Sequence, residues 1–223
     1  MNLTILSLLA TSYNRSPFIA KSKSYSISIS DSILTHFVSS SFFNVKKLNV
    51  NQVKFTYFQS TPIYIDDEDD TIPINSIYLQ HPLIYVYNET ISISKSLFFR
   101  CQSQNSGGGI HFVNKDGIFD MTNTFFHNCI SYMQGGGVYS KCLEVTLYSI
   151  IFTLCNSVNS QAGYFETTVY SEISLILCYN CFIPGEVTYM GPIIDIVNDY
   201  DGSYYSPNIN SINASYNTIR CDY

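Results

Sequence analysis

The chain has 223 residues, of which 46% are hydrophobic and only 13% are charged, and its formal net charge is −6. A soluble domain usually carries about 25% charged residues, so Ser, Asn, Thr and Tyr must cover much of this surface, which disfavours helices with outer faces rich in Glu and Lys. β-Branched and aromatic residues abound and predict an all-β protein. The acidic balance argues against nucleic-acid binding, and no apolar run reaches the roughly 18 residues of a membrane-spanning helix.

The first predicted element lies in the apolar stretch of residues 1–14. The stretch lacks the basic start of a secretory signal peptide, and its apolar core is short. We expect an N-terminal cap or a first strand here, and a weak signal segment is the alternative. Repeating β-structure is expected from near residue 15 to the C-terminus, so that residues 1–223 form a single domain.

Two segments of the first half resemble each other nearly position for position. Residues 27–35 read Ile-Ser-Ile-Ser-Asp-Ser-Ile-Leu-Thr, and residues 91–99 read Ile-Ser-Ile-Ser-Lys-Ser-Leu-Phe-Phe. Alternation of apolar and polar residues is typical of a strand with one buried face. Counting backwards from Cys101 in steps of 21, 22 and 21 residues gives Gln80, Phe58 and Phe37 as equivalent positions. Residues 209–217 resemble a last unit of the same kind.

The densest charge cluster is an acidic run between these two segments. Asp66, Asp67, Asp69 and Asp70 flank Glu68, and several carboxylates in one loop are the ligands that Ca²⁺ prefers. The run lacks the alternating Asp-x-Asp-x-Asp-Gly spacing of a preorganised calcium loop. A calcium site is therefore one prediction, and the other is a solvated insert that keeps sheet edges from pairing. We expect no other cofactor.

Four segments from residue 98 onwards share an apolar residue three positions before a cysteine. The cysteines are spaced 28, 26 and 26 residues apart. They are Cys101, Cys129, Cys155 and Cys181, preceded by Phe98, Phe126, Phe152 and Cys178. Equivalent positions in stacked strands lie about 4.8 Å apart, so we expect these phenylalanines and these four cysteines to form ladders in the core.

Glycine triplets follow the first two of these cysteines. The triplets are Gly107, Gly108, Gly109 and Gly135, Gly136, Gly137. We expect them at bends between sheets, where the backbone needs a positive φ. The chain alternates after each triplet, and the sequence of residues 115–117, Lys-Asp-Gly, predicts a turn between two strands.

A unit of about 21 to 28 residues with several short strands has no room for a helix and cannot bury its apolar face alone. Such units must stack on their neighbours. A two-sheet sandwich would not explain ladders at a constant offset. The sequence therefore predicts a right-handed parallel β-helix, or solenoid, of about eight coils.

A family resemblance rests on the same residues. The chain combines residues 98–101 with residues 107–110, and it repeats the combination in residues 126–129 with 135–138. This pattern resembles the polymorphic outer-membrane protein repeat of chlamydiae, which also occurs in surface families of trichomonad parasites. Residues 152–155 resemble a degenerate third copy, and this chain has Cys where that family commonly has Asn. No counterpart of the family's C-terminal membrane barrel or anchor is expected in these residues. The resemblance implies a right-handed β-helix of the pectin-lyase-like fold and an adhesin-like role at the cell surface.

Two interpretations of the cysteines stay open. Buried free thiols would act as small hydrophobic side chains. In an exported protein, Cys101 with Cys129 and Cys155 with Cys181 would instead form disulfides, because neighbouring coils meet the Cα separation of roughly 4.4 to 6.8 Å. Residues 178–181, Cys-Tyr-Asn-Cys, resemble half a zinc or redox motif, but strand side chains at this spacing need not converge, and we expect no metal there.

The sequence predicts no catalytic residue. β-Helical hydrolases need paired carboxylates on neighbouring coils, and their Asn-Thr-Asp, Asp-Asp, Gly-His-Gly and Arg-Ile-Lys segments do not occur together in this chain. Lyases of this fold use Arg or Lys as a base beside calcium-binding acids. Arg100 directly precedes Cys101, so strand alternation turns it outward. The four histidines have no spacing to a Ser or an acid that predicts a triad.

The leading hypothesis is a non-catalytic, adhesin-like surface or interaction module that is a fragment of a longer protein. Its partner would be a protein or a carbohydrate, because exposed tyrosines suit both, and a secreted or surface location follows from the resemblance only. The alternative is a carbohydrate-active enzyme, a polysaccharide lyase or hydrolase of the pectin-lyase-like fold. Acids with a Lys or Arg from three successive coils would favour the enzyme, whereas a flat face of Ser, Asn and Tyr would favour binding.

Overall fold

The computed structural model describes residues 2–11, 18–19, 26–38, 42–43, 47–60, 62–66, 90–179, 181, 193–198, 208–215 and 219–222. These residues form 19 β-strands and contain no helix, which confirms the all-β prediction. Within the same residues, no helix is long and apolar enough to cross a membrane.

The strands are short in the first half of the chain and long in residues 110–179. Their bounds are β1 (Asn2–Leu6), β2 (Leu9–Thr11), β3 (Phe18–Ile19), β4 (Ser26–Ser30), β5 (Ile33–Thr35), β6 (Phe42–Phe43), β7 (Lys47–Asn51), β8 (Lys54–Thr56), β9 (Ile63–Asp66), β10 (Thr90–Ser94), β11 (Leu97–Phe99), β12 (Gln102–Ser103), β13 (Ile110–His127), β14 (Ile130–Ser131), β15 (Val138–Thr153), β16 (Gly163–Tyr179), β17 (Ile194–Asn198), β18 (Asn208–Ser215) and β19 (Ile219–Asp222).

The described pairings are all parallel and arrange the strands in three columns. Column one contains β1, β4, β7 and β10, then residues 118–122, 144–148 and 170–174, and the start of β18. Column two contains β2, β5, β8 and β11, then residues 124–127, 150–153 and 176–179, and the end of β18. Column three contains β3, β6 and β9, then residues 110–114, 138–142 and 163–167, and finally β17 and β19.

We define a row as three consecutive strands, one from each column. The strands β13, β15 and β16 continue through the bends, so the columns merge into one sheet of 17 strands. β12 and β14 pair with each other separately. Parallel rows in a constant order are compatible with a solenoid.

Single residues with a left-handed backbone make the bends. Between columns one and two, Gln52 has a φ of 55° and Lys95 a φ of 49°, and after column two Arg100 has a φ of 52°. The N–H of Gln52 donates to the carbonyl of Ser94, and that of Lys95 donates to the carbonyl of Thr122. A positive φ is unfavourable for a residue with a Cβ, and these hydrogen bonds to the next row offset that cost.

The core lies inside the columns and follows from the alternation of the strands. Column two stacks Leu34, Phe55, Phe98, Phe126 and Phe152 in register, and each is fully buried. Hydroxyl groups buried near the bends are satisfied locally. Those of Ser32, Ser96 and Thr124 each donate to the carbonyl two residues earlier.

One expectation about the path of the chain is wrong, and a second is confirmed only in part. No row passes through Gln80, because β8 is paired directly with β11, and β7 is paired directly with β10. Residues 67–89, which lie outside the described residues, therefore connect two adjacent rows. At residues 115–117, where a turn between two strands is expected, the chain passes from column three to column one. It does so within the continuous strand β13, and the register shifts between Asn114 and Ile118. The N–H of Asp116 donates to the Asn114 side chain, so the extra residues form a local irregularity in the strand.

Candidate functional site

The phenylalanine ladder is a stack of parallel rings inside column two. The ring centroids of Phe98 and Phe126 are 4.7 Å apart, and those of Phe126 and Phe152 are 5.0 Å apart. Phe55 continues the stack below Phe98 at 4.8 Å. These residues have no exposed surface, so they hold neighbouring rows in register and cannot contact a ligand.

The cysteines follow the ladder at the bend after column two. Cys101, Cys129, Cys155 and Cys181 are buried free thiols. The thiol of Cys129 donates to the carbonyl of Phe98, and that of Cys101 donates to the carbonyl of Phe55. Burial is the largest cause that raises the pKa of Cys129 well above its usual value, and the neighbouring thiol of Cys101 is the second. Burial also raises the pKa of Cys155. Protonated, solvent-free thiols are poor nucleophiles.

The glycine triplets serve two different purposes. Only the first glycine of each has a positive φ, 71° at Gly107 and 62° at Gly135. The expectation of a left-handed bend is therefore wrong for the other four. A Cβ on Gly136 would overlap the carbonyl oxygen of Gln161, and a Cβ on Gly137 would lie 2.7 Å from the Phe152 ring. The second and third glycines, Gly108 and Gly109 included, are required by the close approach of neighbouring atoms.

The predicted calcium ligands lie at the boundary of the described structure. Asp66 ends β9, and Asp67, Asp69 and Asp70 are outside the described residues, so calcium binding stays a prediction. Elsewhere in the described part of the chain, no three His, Cys, Asp or Glu side chains are placed to share a metal ion. The side chains of Cys178 and Cys181 are both buried.

A charged cluster that the sequence analysis missed lies on the outer side of column three. Lys141 and Glu166 are direct neighbours in adjacent rows, and Lys141 Nζ lies 3.0 Å from Glu166 Oε2. The Tyr164 hydroxyl donates to the same oxygen at 2.6 Å. In the next row Asp195 is the register neighbour of Tyr164, and its Oδ2 accepts a hydrogen bond from Ser160 at 3.3 Å. We call Tyr139, Lys141, Tyr164, Glu166 and Asp195 the charged cluster.

Aromatic stacking and partial burial support this cluster. The ring centroids of Tyr139 and Tyr164 are 5.1 Å apart, and His111 packs on Tyr139 at 5.0 Å. Both tyrosines are only 9% exposed. Tyr-x-Lys directly follows Gly137-Val138, and Tyr-x-Glu directly follows Ala162-Gly163, so both patterns begin at the same distance from the bend. This repeat is the sequence signal that would have found the Lys141–Glu166 pair.

Local electrostatics keep protons on two members of the cluster. Burial disfavours the charged form of Lys141, but the hydrogen bond to Glu166 and the neighbouring Tyr139 outweigh it, so the pKa of Lys141 is raised. The pKa of Tyr164 is raised far above its usual value, mainly by burial and secondly by the hydrogen bond to the Glu166 carboxylate. The cluster therefore holds a positive lysine and a neutral tyrosine near neutral pH.

A second, chemically different surface lies on the outer side of column one. In β4, β7 and β10 the last two outward positions of each strand carry hydroxyl or amide side chains, partly or fully exposed, and the first outward position of β7 is Lys47. Register neighbours are Ser28, Asn49 and Ser92 in one line and Ser30, Asn51 and Ser94 in the next. The Asn49 amide donates to Ser28 Oγ at 3.2 Å, and Ser94 Oγ donates to Asn51 Oδ1 at 2.9 Å. We call these six residues the hydroxyl–amide face.

Arg100 is exposed at the bend after column two, as alternation predicts. Its guanidinium carbon lies 5.6 Å from the ring centroid of Tyr57 and 5.3 Å from that of Phe99. Packing on aromatic rings is a common role of surface arginine, and these two contacts hold the side chain against the surface.

Comparison with protein-family models, with curated proteins and with solved structures finds no match to this chain.

Proposed function

We propose that the chain is a non-catalytic interaction module, built as a right-handed parallel β-helix of about eight coils. The module is related to the polymorphic outer-membrane protein-like repeats and has an adhesin-like role at the cell surface or after secretion, as part of a longer protein. Its partner is a carbohydrate or a protein. The regular parallel rows and the repeat pattern of residues 98–163 support the architecture.

The observation that favours a non-catalytic role is the mutual compensation of the charged and polar groups in the charged cluster. Glu166 accepts from both Lys141 and Tyr164, and the pKa values of the lysine and the tyrosine are both raised. A general base that works near neutral pH needs a pKa close to that pH. With raised pKa values, Lys141 and Tyr164 both keep their protons near neutral pH and do not act as general bases there. This favours a fixed, hydrogen-bonded surface.

One observation favours the alternative, a polysaccharide lyase or hydrolase. Lys141, Glu166 and Asp195 come from three successive rows on one side of the sheet, and carboxylates on neighbouring coils are what glycoside chemistry requires. A bound substrate that displaced Glu166 from Lys141 would lower the pKa of Lys141, because the hydrogen bond to that carboxylate raises it. We therefore retain this function as the second candidate.

An assay for turnover distinguishes the two functions. The purified chain is incubated with polygalacturonate in the presence of Ca²⁺, and unsaturated products and new reducing ends are measured. In parallel, binding to immobilised neutral polysaccharides, polyuronides and extracellular-matrix proteins is measured. We expect saturable binding to one of these probes and no turnover. Turnover that Glu166→Gln removes and Glu144→Gln preserves would overturn the proposal, because Glu144 lies outside the charged cluster on column one.

A further inference from the structure

The hydroxyl–amide face has the chemistry of a binding surface for an uncharged, hydroxyl-rich polymer. Each Ser hydroxyl has one donor and two acceptor sites, and each Asn amide has two of each. The two hydrogen bonds across the face use only a small part of this capacity. The remaining donors and acceptors point away from the core, because Ile27, Ile29, Leu48 and Val50 fill the alternate, inward positions.

The spacing of the face is fixed by the sheet. Neighbouring rows lie about 4.8 Å apart, and alternate residues along a strand lie about 7 Å apart. The six side chains therefore form a flat grid of donors and acceptors. Such a grid can form hydrogen bonds with a chain of hydroxyl-bearing units that lies across several rows, without a pocket.

The charge of the face selects among polymers. None of its six residues is ionisable, and the charged residues at its borders have both signs. Asp31 and Lys95 lie at the bends, Lys47 lies at the start of β7, and Asp120 is the register neighbour of Ser92 on the following row. A polyuronide would need a row of cations, which the face lacks. Ser and Asn side chains supply adaptable hydrogen bonds in antibody binding sites. Tyr148, which is 49% exposed, continues the Ser30–Asn51–Ser94 line on a later row.

We propose that the hydroxyl–amide face binds a neutral polysaccharide chain along the stacking direction of the rows. The inference rests on the proposed function, since it names the substrate class and the surface of the interaction module. It assigns no role to the charged cluster.

The test compares two double variants that add the same charge on the same two rows. Ser28→Lys with Asn49→Lys breaks a hydrogen-bonded pair on the face. Thr35→Lys with Thr56→Lys breaks a hydrogen-bonded pair, 2.7 Å apart, on the outer side of column two. Native gels containing dissolved β-glucan, mannan or galactan measure the dissociation constant from the loss of mobility, and gels with polygalacturonate or no polymer are the references.

We expect at least one neutral polysaccharide to retard the wild-type chain. The face variant should bind it at least tenfold more weakly, and the column-two variant should bind within twofold of wild type. If circular dichroism shows that the lysine variant of the face is unfolded, Ser28→Ala with Asn49→Ala replaces it, with the same expected direction. The proposal is overturned if no neutral polysaccharide retards the wild type, or if both double variants lose binding equally.

These failures differ from a failure of the proposed function. Binding to a matrix protein or a polyuronide alone would leave an interaction module but remove the neutral ligand. Enzymatic turnover of any of the polymers would remove the proposed function itself.

Discussion

Phe126 shows how a single residue holds neighbouring rows together. Its ring lies between Phe98 and Phe152 with centroid distances of 4.7 and 5.0 Å, and it has no exposed surface. Its neighbour Phe125 points outward and is partly exposed. Two phenylalanines that are adjacent in sequence therefore have different energetic roles, because strand alternation places them on opposite faces.

Replacing Phe126 by alanine should lower the free energy of unfolding by about 3–5 kcal/mol, because a buried ring leaves a cavity between two rows. Phe125→Ala, the matched control, should cost less than half as much. Urea unfolding followed by circular dichroism measures both. Equal losses for the two variants would mean that the ring stack is not the main contribution to stability at this position.

Gly136 is required by space and not by backbone conformation. A Cβ there would overlap the carbonyl oxygen of Gln161 in the next row, whereas a Cβ on Gly163 would first meet the movable ring of Phe165 at 2.7 Å. Gly136→Ala should therefore destabilise the chain by about 1–3 kcal/mol, the usual cost of overpacking, and Gly163→Ala by less. Thermal unfolding of both variants tests this order, and a more stable Gly136→Ala variant would contradict it.

At the scale of the element, the buried thiols make stability depend on pH. The pKa values of Cys129 and Cys155 are raised by burial in the folded chain, whereas an unfolded thiol titrates near pH 8.5. Below that pH both states keep the proton. Above it the unfolded chain releases protons that the folded chain retains, so the free energy of unfolding falls as pH rises.

We expect this fall to begin near pH 8.5 and to reach up to about 1.4 kcal/mol per pH unit for each such thiol. Unfolding in urea between pH 7 and 10, with a non-thiol reductant present, measures it. Cys129→Ala with Cys155→Ala should make the slope shallower, while the raised pKa values of Cys142, Cys178 and Cys181 maintain the remainder. A slope unchanged by these substitutions would mean that other groups cause the dependence, or that the cysteines are paired as disulfides.

The charged cluster offers a second test at the scale of the element. Glu166→Gln removes the carboxylate that accepts from Tyr164, so the pKa of Tyr164 should fall towards its usual value while burial keeps it raised. NMR of tyrosine ring carbons, assigned with Tyr164→Phe, measures the titration. Glu172→Gln is the control, because Glu172 accepts from Tyr170 instead, and it should leave the Tyr164 titration unchanged. An unshifted Tyr164 in Glu166→Gln would contradict the described contact.

For the whole molecule, the direct pairing of β7 with β10 and of β8 with β11 makes residues 67–89 an insertion between adjacent rows. The equivalent connection after Asn114 needs only Lys115, Asp116 and Gly117 before column one resumes at Ile118. Replacing residues 67–89 by Asn-Lys-Asp-Gly, the four residues between Val113 and Ile118, should therefore preserve folding, because Val113 is paired with Asp66 and Ile118 with Thr90. The free energy of unfolding should change by less than about 1 kcal/mol, since closing a shorter loop costs less entropy.

Circular dichroism and urea unfolding of the shortened chain measure this outcome. Added Ca²⁺ should raise the melting temperature of the full chain and not that of the shortened chain if the acidic run binds calcium. A shortened chain that fails to fold would show that residues 67–89 contribute to the pairing of the rows.

The repeats of the second half were predictable because pairing follows the motif there. Phe98, Phe126 and Phe152 precede cysteines at nearly constant spacing, and parallel strands stack equivalent residues. The row predicted at Gln80 failed because constant spacing alone does not show which segments pair. The Lys141–Glu166 contact was missed since its partners become neighbours only through the register of two rows.

The amino-acid sequence by itself determined the β-structure, the alternation of the strands and the residues that repeat, because these depend on local propensity and on the two-residue period of a strand. The tertiary structure decided which rows are adjacent, which glycines lack room for a side chain, and that Leu154 and Leu175 adopt a positive φ. These features depend on hydrogen bonds and contacts between rows that are distant in sequence. A leucine at a bend carries no local preference for that conformation, and only the carbonyl of the next row makes it favourable, as the bond from Leu154 N–H to Tyr179 shows.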